Sequence, residues 1–315
     1  MKIALIFPGQ GSQYIGMAKE LSENFQEAKD VLQIANTSLG FDISKIMFGG
    51  PEDLLKQTQY TQPAIFSASI AAFSVLEKNF NLANHEITVA GHSLGEYSAL
   101  AASKVFSLED GLKLVKARGE FIQNASVKNP GTMAAIIGLE KNKVLEICHN
   151  SSSFGLCQAV NFNCPGQIVI AGSKEAIENA VSLATAAGAT KAITLNVSGA
   201  FHSSYMNEAS DSMKTELGKY NLSNPLFPVV TNCDAQLTIN AQTIKDKLVM
   251  QINHPVLWED SISLMISAGI NVFVEVGPQR VLSGLVKRIS KTVKLLNVED
   301  VKTLNKTVEE LQKLN

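Results

Sequence analysis

Gly91-His92-Ser93-Leu94-Gly95 stands between an aliphatic run, Ile87 to Ala90, and a stretch with helical spacing that begins at about Leu94. A GxSxG segment in that strand-to-helix setting constrains the fold more than any other feature of the chain. The strand must turn at once into a helix, which strains the backbone at the serine, and glycines without a Cβ on either side let strand and helix approach. Ser93 Oγ is then held exposed at the elbow. The first amides of the helix, Leu94 N–H among them, and its positive dipole end face the space where an oxyanion would develop. By itself the segment also fits an ordinary Gly-Ser helix start, so other residues have to decide.

The rest of the chain supports an α/β-hydrolase-like large domain with a parallel sheet. Lys2 to Phe7, closed by Pro8-Gly9, reads as a short buried strand, and helical stretches follow near 14–38 and 61–80. Ser107-Leu108-Glu109-Asp110 is a capping-box pattern ahead of an amphipathic helix that carries Leu112, Leu114, Val115, Arg118, Phe121 and Ile122. From Gly131 the pattern changes to strand 132–138, helix 140–149, strand 157–162, a turn at Asn163-Cys164-Pro165-Gly166, strand 167–171, helix 173–187 and strand 190–195. This βαββαβ order predicts a ferredoxin-like small domain, which can be inserted in a loop of a larger one. The expected division is therefore a discontinuous α/β domain of residues 1–127 and 198–315 with an inserted domain at 128–197. Strands are expected again near 227–231 and 271–276, and helices near 203–218, 241–252, 258–268 and 279–290.

Composition excludes several classes of function. A formal net charge of −2 leaves no electrostatic footprint for nucleic acid or an anionic membrane. No segment approaches the roughly 18 to 20 apolar residues of a membrane span, and the run Ile3 to Phe7 is too short for a signal peptide. Cys148, Cys157, Cys164 and Cys233 form no CxxC pair, which suits reduced thiols and implies neither disulfide nor metal site. The expectation is a cytoplasmic monomer.

A serine hydroxyl needs a base within hydrogen-bond reach. Of the five histidines, His85 lies in a polar loop, His92 adjoins the serine with its ring directed elsewhere, and His149 ends a helix of the small domain; all three read as solvated or structural. That leaves His202, in Gly199-Ala200-Phe201-His202-Ser203, and His254, in Asn253-His254-Pro255. Chain order alone also permits a hydrolase-like triad of Ser93, Asp234 and His254, so both candidates stay open. Gly9-Gln10-Gly11 does not open a dinucleotide fingerprint, because the third glycine would fall at Tyr14, and no Gly-Lys-Ser/Thr follows to make a P-loop.

Five segments in order, Phe7-Pro8-Gly9-Gln10-Gly11-Ser12-Gln13, Gly91 to Ala99, Ala117-Arg118-Gly119, Gly199 to Ser203 and Glu275-Val276-Gly277-Pro278, resemble the malonyl-CoA:acyl carrier protein transacylases across nearly the whole chain. The resemblance implies a Ser-His dyad, with Ser93 as nucleophile and His202 as general base and then general acid. It assigns the backbone carbonyl of Gln251 to orienting the histidine, and the N–H groups of Gln10 and Leu94 to the oxyanion. His254 departs from the Asn or Ser that the family often has before this proline. Arg118, one of only three arginines, is assigned to the free carboxylate of a malonyl group, which a planar guanidinium grips by two charge-assisted hydrogen bonds.

Phe201 resembles the bulky residue that leaves no room for an α-methyl, so methylmalonyl is expected to be disfavoured. Asn161 and Asn163 are expected to line the cleft, and Lys287-Arg288 to lie on a solvated helix face or meet an acidic carrier. The implied reaction passes malonyl from malonyl-CoA to the phosphopantetheine thiol of holo acyl carrier protein in fatty acid synthesis, by a ping-pong cycle without cofactor or metal. A serine esterase or thioesterase with the same nucleophile, and an idle carrier-binding module, are the competing readings.

Overall fold

In the computed structural model, which describes residues 1–314, ten strands form two separate sheets. They are β1 (Lys2–Phe7), β2 (Glu86–Gly91), β3 (Thr132–Ile137), β4 (Cys157–Cys164), β5 (Gln167–Gly172), β6 (Lys191–Thr194), β7 (Val229–Val230), β8 (Leu237–Thr238), β9 (Val272–Val276) and β10 (Lys294–Val298). The larger sheet has the order β10-β9-β1-β2-β7-β8 and is parallel except for β8. Helices cover both of its faces, which is why β1 reads as an unbroken apolar run. Ile3, Leu5 and Phe7 join one core with Ala64, Phe66, Leu112 and Leu304, while Ala4 and Ile6 face a second with Phe273, Trp258, Ile262 and Leu282. Each of the larger of these side chains, leucine, isoleucine and phenylalanine, contributes about 1.5–3 kcal/mol when fully buried.

The parallel register pairs Phe7 with Gly91, so the loop after β1 and the turn after β2 leave the sheet side by side at its carboxyl edge. The helix Leu94–Ala102 starts directly at that edge. A Cβ at Gly91 would press on the carbonyl of Gly95, and one at Gly95 on the carbonyl of Phe7. Gly95→Ala is therefore expected to cost about 3 kcal/mol, the upper end of core overpacking. Thermal unfolding should show a midpoint lowered by roughly 5 °C or more.

The smaller sheet has the order β4-β5-β3-β6 and is antiparallel throughout. The helices Lys141–Ser151 and Lys174–Ala186 pack on one face around Ile136, Val144, Ile147, Ile168, Ile170 and Ile177. That is the ferredoxin-like arrangement, and every element lies within two residues of its expected bounds. The other face presents Met133, Val160, Val169 and Ala171 to Ala200 of the chain returning to the large sheet. Val256 N–H donates to Val160 O at 2.8 Å and Phe162 N–H to Val256 O at 2.9 Å, which stitches β4 to the larger unit. Arg288 adds a strap, donating to Gln167 Oε1 at 2.7 Å. One member of the Lys287-Arg288 pair is thus engaged with the small sheet and is not a free surface cation.

Elsewhere the structure corrects the sequence reading. The helix expected near 14–38 is two helices, Lys19–Asn24 and Gln26–Leu39, because Phe25 takes an extended backbone and packs its ring on the core. Periodicity carries no signal for such a tertiary demand. The helix expected near 203–218 opens with a 3₁₀ turn, Ser204–Met206, before Asn207–Leu217, and the strand at 227–231 shrinks to Val229–Val230. The short helices Ile43–Gly49 and Glu52–Leu55, and β8, β10 and the helix Val301–Lys313, are additional. Ser107 does cap its helix, accepting from Asp110 N–H at 3.0 Å. No helix among the described residues is long and apolar enough to cross a membrane.

Candidate active site

Ser93 sits at φ 53°, ψ −109°, a strained conformation for a residue with a Cβ, at the junction of β2 and the helix Leu94–Ala102. Asn232, which lies just beyond β7, the strand beside β2, holds this elbow from both sides. Its Oδ1 accepts from Ser93 N–H at 2.7 Å and its Nδ2 donates to Gly91 O at 2.7 Å. With Ser93 N–H so occupied, the Leu94 N–H is left without an acceptor among the described residues, as is that of Gln10, whose side lines the same cavity.

Ser93 Oγ lies 2.7 Å from His202 Nε2. His202 Nδ1 lies 2.8 Å from the backbone oxygen of Gln251, which can only accept, so Nδ1 carries the proton and Nε2 is free to accept from the serine hydroxyl. His202 is buried, and its pKa is pushed down to about 3, first by desolvation and then by the positive charge of Arg118. The imidazole is therefore neutral across the physiological range, with the Nε2 lone pair facing the serine hydroxyl.

Arg118 projects from the helix Leu108–Lys128 and is only 2% exposed, so its charge does not snorkel to the surface. One terminal nitrogen donates to Gln62 Oε1 at 2.8 Å. The other donates to Ser93 Oγ at 3.1 Å and Gln251 Oε1 at 3.0 Å. Its Nε has no partner among the described residues. A buried cation whose partners are all neutral acceptors is costly to maintain, and such a site favours an anionic ligand.

These groups line a cavity of about 120 Å³ walled by Met133, Asn161, Leu195 and Val197 from the small sheet and its return, and by Phe201 and Ile122 from the large unit. A larger hollow of about 690 Å³ opens at the amino ends of β1 and β2, beside Lys2, His85 and Leu226, and holds no nucleophile–base pair.

Residues 4–313 match the acyl transferase domain family. The chain belongs to that family. A malonyl CoA-acyl carrier protein transacylase of Bacillus subtilis (strain 168) is 40% identical over 315 residues, which is all of this chain and 98% of that protein. The crystal structure of an acyl-carrier-protein-S-malonyltransferase from Bartonella henselae superposes with a TM-score of 0.96 at 40% identity, covering 99% of this chain and 100% of that one. A malonyl-transacylase in complex with its type II PKS acyl-carrier protein superposes at 0.95 with 37% identity, covering 98% and 100%.

In this acyl transferase two expected positions turn out differently. His92 does not point away: its ring lines the cavity, tilted against Trp258 at 5.6 Å, with Nε2 at 2.9 Å from Asn163 Oδ1. Asn163 accordingly sits behind His92 and not in the cavity wall, whereas Asn161 is in the wall with its Oδ1 unpartnered among the described residues. Strict alternation would put Asn161 and Asn163 on one face of β4, and the register irregularity between Phe162 and Cys164 breaks that alternation at Asn163. His254 is far from assembling a triad, with Nδ1 at 2.9 Å from Met250 O and 2.7 Å from Asn253 Oδ1, while Asp234 pairs with Lys247 and Thr231.

Asn232, Gln62 and Glu96 were not singled out by the sequence reading. Glu96 follows GxSxG directly, and a charged residue in a helix whose other positions are nearly all apolar or small was the available signal. Glu96 is fully buried, and desolvation raises its pKa to about 7 against the hydrogen bonds and the Arg118 charge that favour its anion.

Proposed function

We propose that this acyl transferase moves a malonyl group from malonyl-CoA to the phosphopantetheine thiol of an acyl carrier protein, in a ping-pong cycle through a malonyl-Ser93 ester. The observation that carries the proposal is the buried Arg118 guanidinium 3.1 Å from Ser93 Oγ with no carboxylate of the described residues in contact. An acyl group bound at Ser93 with its own free carboxylate would supply the missing anion by charge-assisted hydrogen bonds. An acetyl group would not. The names of relatives at about 40% identity support the same reading, and the relative solved with an acyl-carrier protein supports the acceptor.

In the first half-reaction His202 Nε2 takes the Ser93 proton as Oγ attacks the thioester carbonyl carbon. The N–H groups of Leu94 and Gln10 receive the oxyanion. The tetrahedral intermediate collapses with cleavage of the C–S bond, and His202 returns the proton to the departing coenzyme A thiolate. In the second half His202 takes the proton of the carrier's thiol, the thiolate attacks the ester, and Ser93 recovers its proton. The Gln251 carbonyl holds the ring in place throughout, and Phe201, in the cavity wall, limits the room for an α-methyl branch.

The same reading divides the chain into a discontinuous domain, 1–127 and 198–315, and an inserted domain, 128–197, with the acyl group bound between them. It places the reaction in the cytoplasm.

Incubation with malonyl-CoA followed by intact mass measurement and peptide mapping is expected to show one malonyl adduct on Ser93, discharged when holo acyl carrier protein is added. Free malonate as the main product, with no malonylated carrier, would overturn transfer in favour of hydrolysis.

A further inference from the structure

Gln251 does more than present its backbone oxygen to His202. Its side-chain amide stands between two buried groups of opposite charge: Oε1 accepts from Arg118 at 3.0 Å, and Nε2 donates to Glu96 Oε2 at 2.7 Å. Nε2 also donates to Ser93 O at 2.9 Å, and Glu96 Oε2 accepts in addition from Asn232 N–H at 3.2 Å. The other Glu96 oxygen is buried and has no partner among the described residues, which leaves a position for a proton. From these contacts we infer that Glu96 is a specificity-determining residue, offsetting the Arg118 charge through the Gln251 amide until an anionic acyl group arrives and then taking up a proton. The inference rests on the reading that the acyl group carries a carboxylate at Arg118.

The argument is one of charge balance in a dry site. Among the described residues the carboxylate that faces Arg118 is Glu96, one amide away. A carboxylate on the guanidinium makes two anions share one cation, and the one that can escape by binding a proton is the one already held near neutrality by burial. The other groups around Glu96 do not supply an alternative. Asp234 and Lys247 neutralise each other in an ion pair, burial and the nearby acids Glu96 and Asp234 keep Cys233 a thiol, and burial keeps Tyr97 a phenol. His202 stays neutral. Glu96 touches neither the nucleophile's Oγ nor the base, so it acts through Gln251 and Arg118 as a positioning group.

The consequence is a pH dependence that separates charged from neutral acyl groups. Below the Glu96 pKa the site offers a full positive charge, and above it the carboxylate competes with the incoming one. The ratio of malonyl to acetyl transfer cancels effects on His202 and on the coenzyme, which both acyl groups share. For the wild-type protein with malonyl-CoA, acetyl-CoA and holo carrier protein, this ratio is expected to fall roughly tenfold from about pH 6 to about pH 9, the size expected of one unit charge an amide away in a buried site.

In Glu96→Gln, whose amide keeps an acceptor for Gln251 and Asn232 but cannot ionise, the ratio should stay level across that range at the wild-type acid value. A ratio in Glu96→Gln that falls as steeply as in the wild type would overturn the inference while leaving malonyl transfer intact. Should the variant not fold, malonylation of the wild-type protein in weak buffer at about pH 8 decides the matter. Uptake of about half a proton per malonyl group, absent on acetylation, is expected from the linkage, and equal uptake with both donors would sink the inference. A wild-type protein that accepts no malonyl group at any pH would instead overturn the malonyl reading itself, and this inference with it.

Discussion

Replacing His202 with alanine is expected to slow acylation of Ser93 by about three to four orders of magnitude, because it removes the proposed general base, whose Nε2 lies 2.7 Å from the hydroxyl. Rapid-quench measurement of the malonyl adduct after mixing with malonyl-CoA checks this directly. His254→Ala should keep most of the rate, since that ring bonds only to Met250 O and Asn253 Oδ1. A large loss in His254→Ala with little in His202→Ala would move the base. The depressed imidazole also has a cost in stability. As the pH falls below about 6.5, the unfolded chain binds a proton that the folded His202 refuses until about 3, so the buried ring destabilises the fold progressively through that window. His202→Ala should remove this component of the pH dependence of unfolding.

The second large effect is expected at Arg118. Arg118→Ala deletes the only cation in the cavity and should lower malonyl transfer by roughly a hundredfold, as charged hydrogen bonds of about 1.5–3 kcal/mol are lost. Acetyl transfer should fall much less, so that the ratio of the two drops at least about tenfold. Some loss with acetyl is expected as well, because Gln62 Oε1 and Gln251 Oε1 are left buried without the donor they had and the Ser93 Oγ contact disappears. Arg118→Lys should recover little, since an ammonium cannot hold Gln62, Gln251, Ser93 and a carboxylate with one planar fork. Equal losses for the two acyl groups in Arg118→Ala would remove Arg118 from acyl recognition and leave it a structural role beside the nucleophile.

Much of the frame was readable along the chain. The ferredoxin-like sheet follows its expected bounds closely because each strand alternates between the core of Ile136, Ile168 and Ile170 and the face of Met133, Val169 and Ala171. The unbroken run Ile3 to Phe7 announced a strand covered on both faces. The reading failed where a distant packing partner overrides local preference. Phe25 breaks a helix to reach the core, and the two-residue strands β7 and β8 exist by pairing at a sheet edge. His92 looked like a bystander because nothing near it in the chain announces Asn163, 71 residues away, or the ring of Trp258.

What the sequence by itself determined is the elbow: Gly91 and Gly95 are the residues that a strand turning straight into a helix requires, and the clash a Cβ would meet there involves only the first two strands and their own turn. What only the tertiary structure decided is which imidazole lies against Ser93 and which carboxylate stands one amide away from Arg118. The choice of His202 over His254 depends on a hydrogen bond to Gln251 O, 49 residues on. The link from Arg118 to Glu96 depends on the Gln251 amide, which meets Glu96 across 155 residues. Hydrogen bonds and buried charges act over a few ångströms, and their partners are brought within that range by the packing of the two sheets, so no local pattern of residues carries them.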